Sequence, residues 1–236
     1  MKTFKLIGFI ILIFSLPLST VAQNKFTGAS SGIEKIKKNK KKTTPPKRKA
    51  AATASAEGTT NGHEWVDLGL SVKWATCNIG AKYPEQVGDY ISWSELGPKR
   101  DYPFETPATG KEMKDISGDV QYDAATKLWG SSWRIPTKEE FEELIKNCTL
   151  KATDIKGYKG MEFTSKINGR KIFLPFAGQI SYDGYYGVGN LGRYWTSTPS
   201  PIYGTNDRAY NAEIEKGATV DNIGRMVGLT IRPVCK

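Results

Sequence analysis

Two glycine-interrupted segments near the C-terminal end combine aromatic rings with carboxylate and amide groups. Exposed aromatic rings stack on sugars or anchor protein contacts, while carboxylates and amides hydrogen-bond to hydroxyl groups. The candidate ligand-binding residues are Tyr182, Asp183, Tyr185, Tyr186 and Asn190 in the first segment, with Tyr203, Asn206 and Asp207 in the second. Because both segments flank a strand predicted at 193–197, we expect them to form one surface. The alternative is that the tyrosine rings cover the core beneath an irregular loop.

No combination of residues in the chain is typical of catalysis. The chain has one histidine, His63, and lacks the Gly-x-Ser-x-Gly, Cys-x-x-Cys and phosphate-loop motifs. The acidic pairs Glu139-Glu140 and Glu142-Glu143 fall in a predicted helix, where they suit its N-terminal half and face solvent. The sequence therefore predicts a protein that is not an enzyme, with no catalytic residue, metal site or cofactor.

The N-terminal residues have the pattern of a signal peptide. An apolar run over 6–18 follows two lysines, and Thr20 and Ala22 are the small residues that a signal peptidase requires. We expect cleavage after Ala22, which removes residues 1–22 and exports the protein to the periplasm, the outer surface or the medium. The alternative is an uncleaved N-terminal anchor.

The positive charge of the chain is concentrated directly after this segment. Residues 23–62 contain ten Lys and Arg against two Glu, whereas residues 63–236 contain 22 basic and 22 acidic residues. With few large apolar residues and a Pro45-Pro46 pair, 23–62 is predicted to be a disordered Lys-rich linker. This linker would bind an anionic envelope surface, such as lipopolysaccharide or phospholipid headgroups, or serve as a solvated spacer. Its lack of interleaved aromatic residues argues against a nucleic-acid partner.

Residues 63–236 are numerous enough for one domain, and their pattern is α+β. The best helix is predicted at 137–147, where Thr137 and Glu140 form a capping box before an apolar stripe. A shorter helix is expected near 123–129, ended by a glycine.

Strands account for most of the remaining pattern. An Asn168-Gly169 pair between two strand-like runs predicts a hairpin over 160–176 with a type I′ turn. Further strands are predicted at 64–68, 72–77, 89–93, 193–197, 208–215 and 226–234.

Three motifs, taken together, resemble a known family. They are 62–70 (GHEWVDLGL) leading into 73–78 (KWATCN), 133–137 (WRIPT) before the helix, and 194–198 (YWTST) followed by 231–234 (IRPV). In these motifs, residues 62–236 resemble the Fibrobacter succinogenes major paralogous domain family of exported bacterial proteins. The resemblance implies a C-type lectin-like fold, in which the first and last strands pair and a long loop region binds ligands. It also implies a surface-associated protein of Bacteroidetes-type bacteria, without an established activity.

The same resemblance bears on the cysteines and on calcium. If the first and last strands are neighbours, a Cys77–Cys235 disulfide is geometrically reasonable; Cys148–Cys235 is the rival, and three reduced thiols are the third option. Calcium-dependent lectins use acid and amide clusters around a proline. Residues 199–208 contain Asn206-Asp207 but no Glu-Pro-Asn, Gln-Pro-Asp or Trp-Asn-Asp match, which argues against calcium-dependent sugar binding.

The sequence thus favours an exported, non-enzymatic binding module that recognises a glycan or a cell-surface protein through its tyrosine-rich segments. A different hypothesis is a structural or assembly component of the cell envelope, held there by the basic linker. A third is an enzyme of the sulfatase-activator type, which shares the fold class but uses paired cysteines that are not evident here.

Overall fold

The structure, a computed structural model, describes residues 57–104, 114–202 and 206–236. The signal peptide predicted at 1–22 and residues 23–56 of the predicted linker lie outside the described residues. Within them, short antiparallel strands predominate and two helices are present, which confirms the α+β class. No helix in the described ranges is long and apolar enough to cross a membrane.

In chain order the elements are β1 (Gly58–Thr60), β2 (His63–Val66), β3 (Lys73–Ala75), β4 (Ile91–Ser92), α1 (Ala124–Trp129), α2 (Lys138–Asn147), β5 (Cys148–Ile155), β6 (Tyr158–Ser165), β7 (Lys171–Pro175), β8 (Gln179–Ser181), β9 (Gly184–Tyr186), β10 (Gly192–Pro199), β11 (Arg208–Ile214), β12 (Ala218–Gly224), β13 (Gly228–Leu229) and β14 (Val234–Cys235). They form four small sheets with the strand orders β1-β2-β3-β14, β4-β13-β8-β9, β5-β6-β7 and β10-β11-β12.

The first sheet joins the beginning of the described chain to its last strand. β14 pairs antiparallel with β3, with Val234 opposite Trp74. At the other edge β1 pairs with β2, and the Glu57 N–H donates to the Trp65 carbonyl oxygen at 2.9 Å. The folded part therefore begins before the boundary predicted at residue 63. The sequence gives little sign of β1, because Gly58-Thr59-Thr60 contains no large apolar side chain.

Both predicted helices are confirmed, with the capping box of the longer one and the glycine that ends the shorter one. The Thr137 hydroxyl accepts from the Glu140 N–H, and the Glu140 carboxylate accepts from the Thr137 N–H, so α2 begins with a complete capping box. The Asp123 carboxylate caps α1, and Gly130 follows its last turn. Glu140 also forms the ion pair with Arg134 at 2.5 Å.

The predicted strands are also present, with two differences. The single strand expected at 226–234 is divided into β13 and β14, because the chain leaves one sheet at Leu229 and joins another at Val234. The hairpin of β6 and β7 has the expected position, but its turn is not type I′. That turn needs positive φ at both central residues, and of Asn168 and Gly169 only the glycine has it.

Large aromatic residues of the sequence motifs occupy the core. Trp133 and Trp195 are fully buried. Arg232 is also fully buried, although it carries a charge. Its guanidinium donates to Asn78 Oδ1 (2.7 Å) and to the carbonyl oxygens of Ala75 (3.1 Å), Thr76 (2.8 Å) and Phe173 (3.0 Å).

All three cysteines lie in the described part of the chain, and all three are free. Neither the Cys77–Cys235 disulfide nor the Cys148–Cys235 rival is formed. The last strand, β14, pairs with β3 rather than with β1, and Cys235 lies opposite Lys73. Cys77 lies four residues further along the chain, so the antiparallel register separates the two thiols.

Candidate ligand-binding surface

The tyrosine-rich segment at 181–190 contains a short hairpin rather than an irregular loop alone. β8 and β9 pair antiparallel, with Ser181 opposite Gly184. The φ of Gly184 is 107°, a conformation that glycine tolerates because it has no Cβ. Because β9 is the outermost strand of its sheet, this hairpin forms an edge of the domain.

Three tyrosines of the hairpin are mainly exposed. Tyr182, Tyr185 and Tyr186 expose 70%, 67% and 64% of their surfaces. Aromatic side chains of this size usually bury most of their area in a core or an interface. The alternative in which these rings cover the core is therefore wrong, and the rings are accessible to a ligand.

Two less exposed tyrosines support this hairpin. The Tyr185 ring contacts the Tyr90 ring edge-on, with 5.4 Å between centroids. The Tyr90 hydroxyl donates to the Ala177 carbonyl oxygen at 2.5 Å, and the Tyr102 hydroxyl donates to the Tyr90 carbonyl oxygen. Since their hydroxyls are anchored to the backbone, the Tyr90 and Tyr102 rings are fixed, and Tyr185 projects from a rigid base.

Tyr182 has a different aromatic neighbour. Its ring lies edge-on to the exposed Phe104 ring, with 6.2 Å between centroids. Gly228 of β13 allows the chain around Tyr102 to lie close to β8. A Cβ at this position would overlap the Tyr102 ring and lie 2.6 Å from Ile180 Cγ2. We call the four exposed rings the aromatic surface; they are Phe104, Tyr182, Tyr185 and Tyr186.

A cavity of about 300 Å³ lies beside the aromatic surface. Its lining residues are Arg100, Asp101, Tyr102, Pro103, Ile180, Ser181, Tyr182 and Gly184. This volume is at the lower end of the range for small-molecule sites, which combine apolar walls with a few polar groups. Here Pro103 and Ile180 supply apolar contacts, whereas Arg100 and Asp101 supply charge.

Burial keeps the supporting tyrosines protonated. Removal from water raises the pKa of Tyr90 to about 12, and it also raises the pKa of Tyr102. Both hydroxyls donate hydrogen bonds to backbone carbonyl oxygens, and burial disfavours their ionisation. Their role in this surface is to position other groups.

Two further residues of the first predicted segment lie with the hairpin. Asp183 is in its turn and accepts a hydrogen bond from the Ser181 hydroxyl. Asn190 is exposed just after the hairpin, where its N–H donates to the Gly187 carbonyl oxygen at 3.0 Å. All five candidates of the first segment therefore lie on the hairpin or just after it, and all five are exposed.

The second predicted segment does not join them. Asn206 and Asp207 precede β11, at the end of β10 where Pro199 pairs with Ala209. The hairpin adjoins the opposite end of β10, where Gly192 forms a bridge to the residue that precedes β8. The two segments lie at opposite ends of β10, so they do not form the single surface that was expected. The candidate surface therefore consists of the first segment alone. Tyr203 lies outside the described residues.

A second concave region is formed near β2 and α1. The His63 ring stacks on the Trp129 ring with 3.7 Å between centroids, beside a cavity of about 380 Å³ that Cys77 also lines. Partial burial lowers the pKa of His63. Across the three described ranges, no group of three or more His, Cys, Asp or Glu side chains could hold a metal ion.

Sequence reasoning missed the residues at 100–104 and the supporting Tyr90. The available signal was the stretch Arg100-Asp101-Tyr102-Pro103-Phe104, in which aromatic, charged and proline residues are adjacent. Tertiary contacts bring this stretch to the hairpin, because Tyr102 and Ile180 both pack against Gly228 of β13. Such contacts are too distant in the chain to be read from local pattern. No family model, curated protein or solved structure matches this chain.

Proposed function

We propose that this protein is a non-enzymatic binding module that recognises a glycan through the aromatic surface. The observation that carries the proposal is the exposure of Tyr182, Tyr185 and Tyr186 on one rigid hairpin. A group of exposed aromatic or apolar side chains on one surface is typical of a binding site. The rings present faces for stacking, and the exposed Asp183 and Asn190 of the same segment supply polar groups.

Preorganisation supports binding at this surface. Tyr185 packs against Tyr90, whose hydroxyl is hydrogen-bonded to the backbone, so a ligand would find this ring already supported. Less conformational entropy is then lost on binding. A planar, amphipathic ring also suits the face of a sugar, which has C–H groups on one side and hydroxyls at its edge.

The proposal includes export and a C-type lectin-like arrangement. Export rests on the apolar run at 6–18 and the small residues Thr20 and Ala22. The lectin-like arrangement is favoured by the pairing of β14 with β3 and by the irregular connections around the aromatic surface. A cell-surface position would place the aromatic surface where glycans are abundant.

Two substitutions and one control test the glycan proposal. Tyr182→Ala and Tyr185→Ala should each weaken binding to a retained oligosaccharide by about tenfold, the effect of one interfacial hot spot. Their melting temperatures should change little, because both rings are mainly exposed. The matched control is Tyr158→Ala, which removes an exposed tyrosine from β6, in another sheet.

The measurement is a screen of neutral and anionic oligosaccharides, followed by calorimetric titration of those retained. If no oligosaccharide binds but a cell-surface protein does, and the tyrosine variants lose that protein, the aromatic surface is a protein-binding site. If neither ligand class binds, the surface has no recognition role, and an envelope structural role becomes the better account.

A further inference from the structure

We infer that the cavity beside the aromatic surface binds a neutral sugar unit, with Arg100 and Asp101 holding two adjacent hydroxyls. This inference rests on the proposed glycan recognition and specifies the class of glycan. It assigns a ligand role to two residues that lie outside the tyrosine-rich segment.

The first support is the state of these two side chains. Arg100 and Asp101 are exposed and line the cavity. Within the described ranges, neither the guanidinium nor the carboxylate has a hydrogen-bond or ion-pair partner. The adjacent cation differs: the Lys99 ammonium is paired with the Glu95 carboxylate at 2.7 Å. Arg100 and Asp101 thus present exposed charged groups at the cavity wall, whereas Lys99 is engaged by Glu95.

The second support is chemical complementarity. A guanidinium only donates hydrogen bonds and an ionised carboxylate only accepts them. A sugar hydroxyl does both, so two neighbouring hydroxyls can accept from Arg100 and donate to Asp101. Charge-assisted hydrogen bonds of this kind are stronger than those between neutral groups.

The third support is the local charge. Besides the Arg100 cation, the cavity and its adjoining turn carry the carboxylates of Asp101 and Asp183. An anionic sugar would gain one contact with Arg100 but would approach two carboxylates. A cationic group would approach the Arg100 guanidinium. A neutral sugar avoids both repulsions, because it brings no charge of its own.

The fourth support is the shape of the cavity. Pro103, Ile180 and Tyr182 line it with apolar and aromatic surface, which suits the C–H face of a pyranose ring. Its volume of about 300 Å³ suits one sugar unit, with further units extending over the exposed Tyr185 ring.

The test compares matched neutral and acidic sugars on the full-length protein. The probes are oligosaccharides of glucose, galactose and mannose, and their uronic-acid counterparts, which differ only in a carboxylate at C6. We expect the neutral members to bind at least tenfold more tightly. Arg100→Ala and Asp101→Ala should each weaken the neutral sugar by about tenfold, the cost of one charge-assisted hydrogen bond. Both should melt at the parental temperature.

The control Lys151→Ala removes an exposed cation of β5, in a different sheet, and should change nothing. Preference for the uronic acids would overturn the inference. The inference would also be overturned if Arg100→Ala and Asp101→Ala bound the neutral sugar with unchanged affinity while Tyr182→Ala lost binding. In that case the proposed glycan recognition would still hold. If no sugar binds and Tyr182→Ala has no effect, the proposed function itself fails.

Discussion

At the scale of single residues, Arg232 is the clearest departure from simple expectation. Arginine is seldom fully buried without an acidic partner. Here three backbone carbonyl oxygens and one side-chain amide oxygen accept hydrogen bonds from its N–H groups. The guanidinium charge is therefore stabilised by dipoles rather than by a carboxylate. Desolvation lowers the pKa of Arg232. The side chain joins β7 to the segment that follows β3.

Replacing Arg232 by alanine should destabilise the domain severely. The change leaves buried carbonyl oxygens unsatisfied and opens a cavity, so we expect a loss of about 3–5 kcal/mol in the free energy of unfolding. Arg232→Lys keeps the charge but lacks the planar fork, so it should recover only part of the loss. Urea denaturation measures both. The control Arg170→Ala removes a half-exposed arginine and should cost about 0–1 kcal/mol; an equal cost for the two alanine variants would contradict this role.

The thiols should react in an order set by burial and pH. Burial raises the pKa of Cys148 to about 11 and also raises the pKa values of Cys77 and Cys235. Since the thiolate is the nucleophile, alkylation at pH 8 should be slow and should accelerate as pH rises. Cys77, the only partly exposed thiol of the three, should react first.

Mass spectrometry of iodoacetamide-treated protein follows these thiol reactions. In guanidinium chloride without reductant, all three cysteines should be alkylated. Alkylation of only one would show that a disulfide forms in the isolated protein, contrary to the structure.

At the scale of elements, the β8–β9 hairpin depends on a close backbone approach at Gly178. This residue has a φ of 64°, and a Cβ there would overlap the Tyr186 carbonyl oxygen and lie 2.6 Å from the Val188 nitrogen. β9 therefore crosses Gly178 at a distance that only glycine permits. The position of the exposed tyrosines follows from this contact.

Gly178→Ala should displace β9 and weaken both folding and ligand binding. We expect a loss of about 1–3 kcal/mol in stability, because the new methyl group meets backbone atoms that cannot move independently. The control Gly217→Ala, in the turn between β11 and β12, adds a Cβ with nothing within 4 Å and should be neutral or slightly stabilising. Circular dichroism melting curves compare the two. Wild-type stability in Gly178→Ala would contradict the close approach.

Elements whose signals are local could be predicted from the sequence, and those defined by distant partners could not. The capping box at Thr137 and the Asn168-Gly169 hairpin are read from a few neighbouring residues. β1 was missed because small and polar residues form it and its contacts are with Trp65 and Trp133. The β8–β9 hairpin was missed because its strands have only three residues each and its position depends on pairing with β13. For the candidate site, the tyrosines were found by composition, whereas Arg100 and Asp101 reach the site only through tertiary pairing.

At the scale of the whole molecule, β1 completes the domain. The Trp133 indole N–H donates to the Thr60 carbonyl oxygen at 2.9 Å, and the Trp65 indole N–H donates to the Thr60 hydroxyl at 3.2 Å. Removing β1 leaves the buried Trp133 N–H without its acceptor and exposes the Trp65 ring. The basic segment and the folded domain therefore meet at a structural element rather than at a simple linker boundary.

Shortening the chain to residue 63 should reveal this contribution. Compared with a fragment of residues 48–236, a fragment of 63–236 should lose about 2–4 kcal/mol, from one unsatisfied donor and the lost burial of an aromatic ring. Urea unfolding followed by tryptophan fluorescence measures the difference. Equal urea midpoints for the two fragments would show that β1 does not stabilise the domain, and that the folded domain begins after β1.

The pairing of β3 with β14 also determines when the protein can fold. The ribosome makes β3 early and β14 late, so the first sheet stays open until Cys235 has been synthesised. The carbonyl oxygens of Ala75 and Thr76 likewise cannot accept hydrogen bonds from Arg232 until that residue has been synthesised. Contacts between such distant parts of a chain make folding slow. Co-translational folding of this domain therefore cannot include a closed first sheet, which forms only when the last strand has been made.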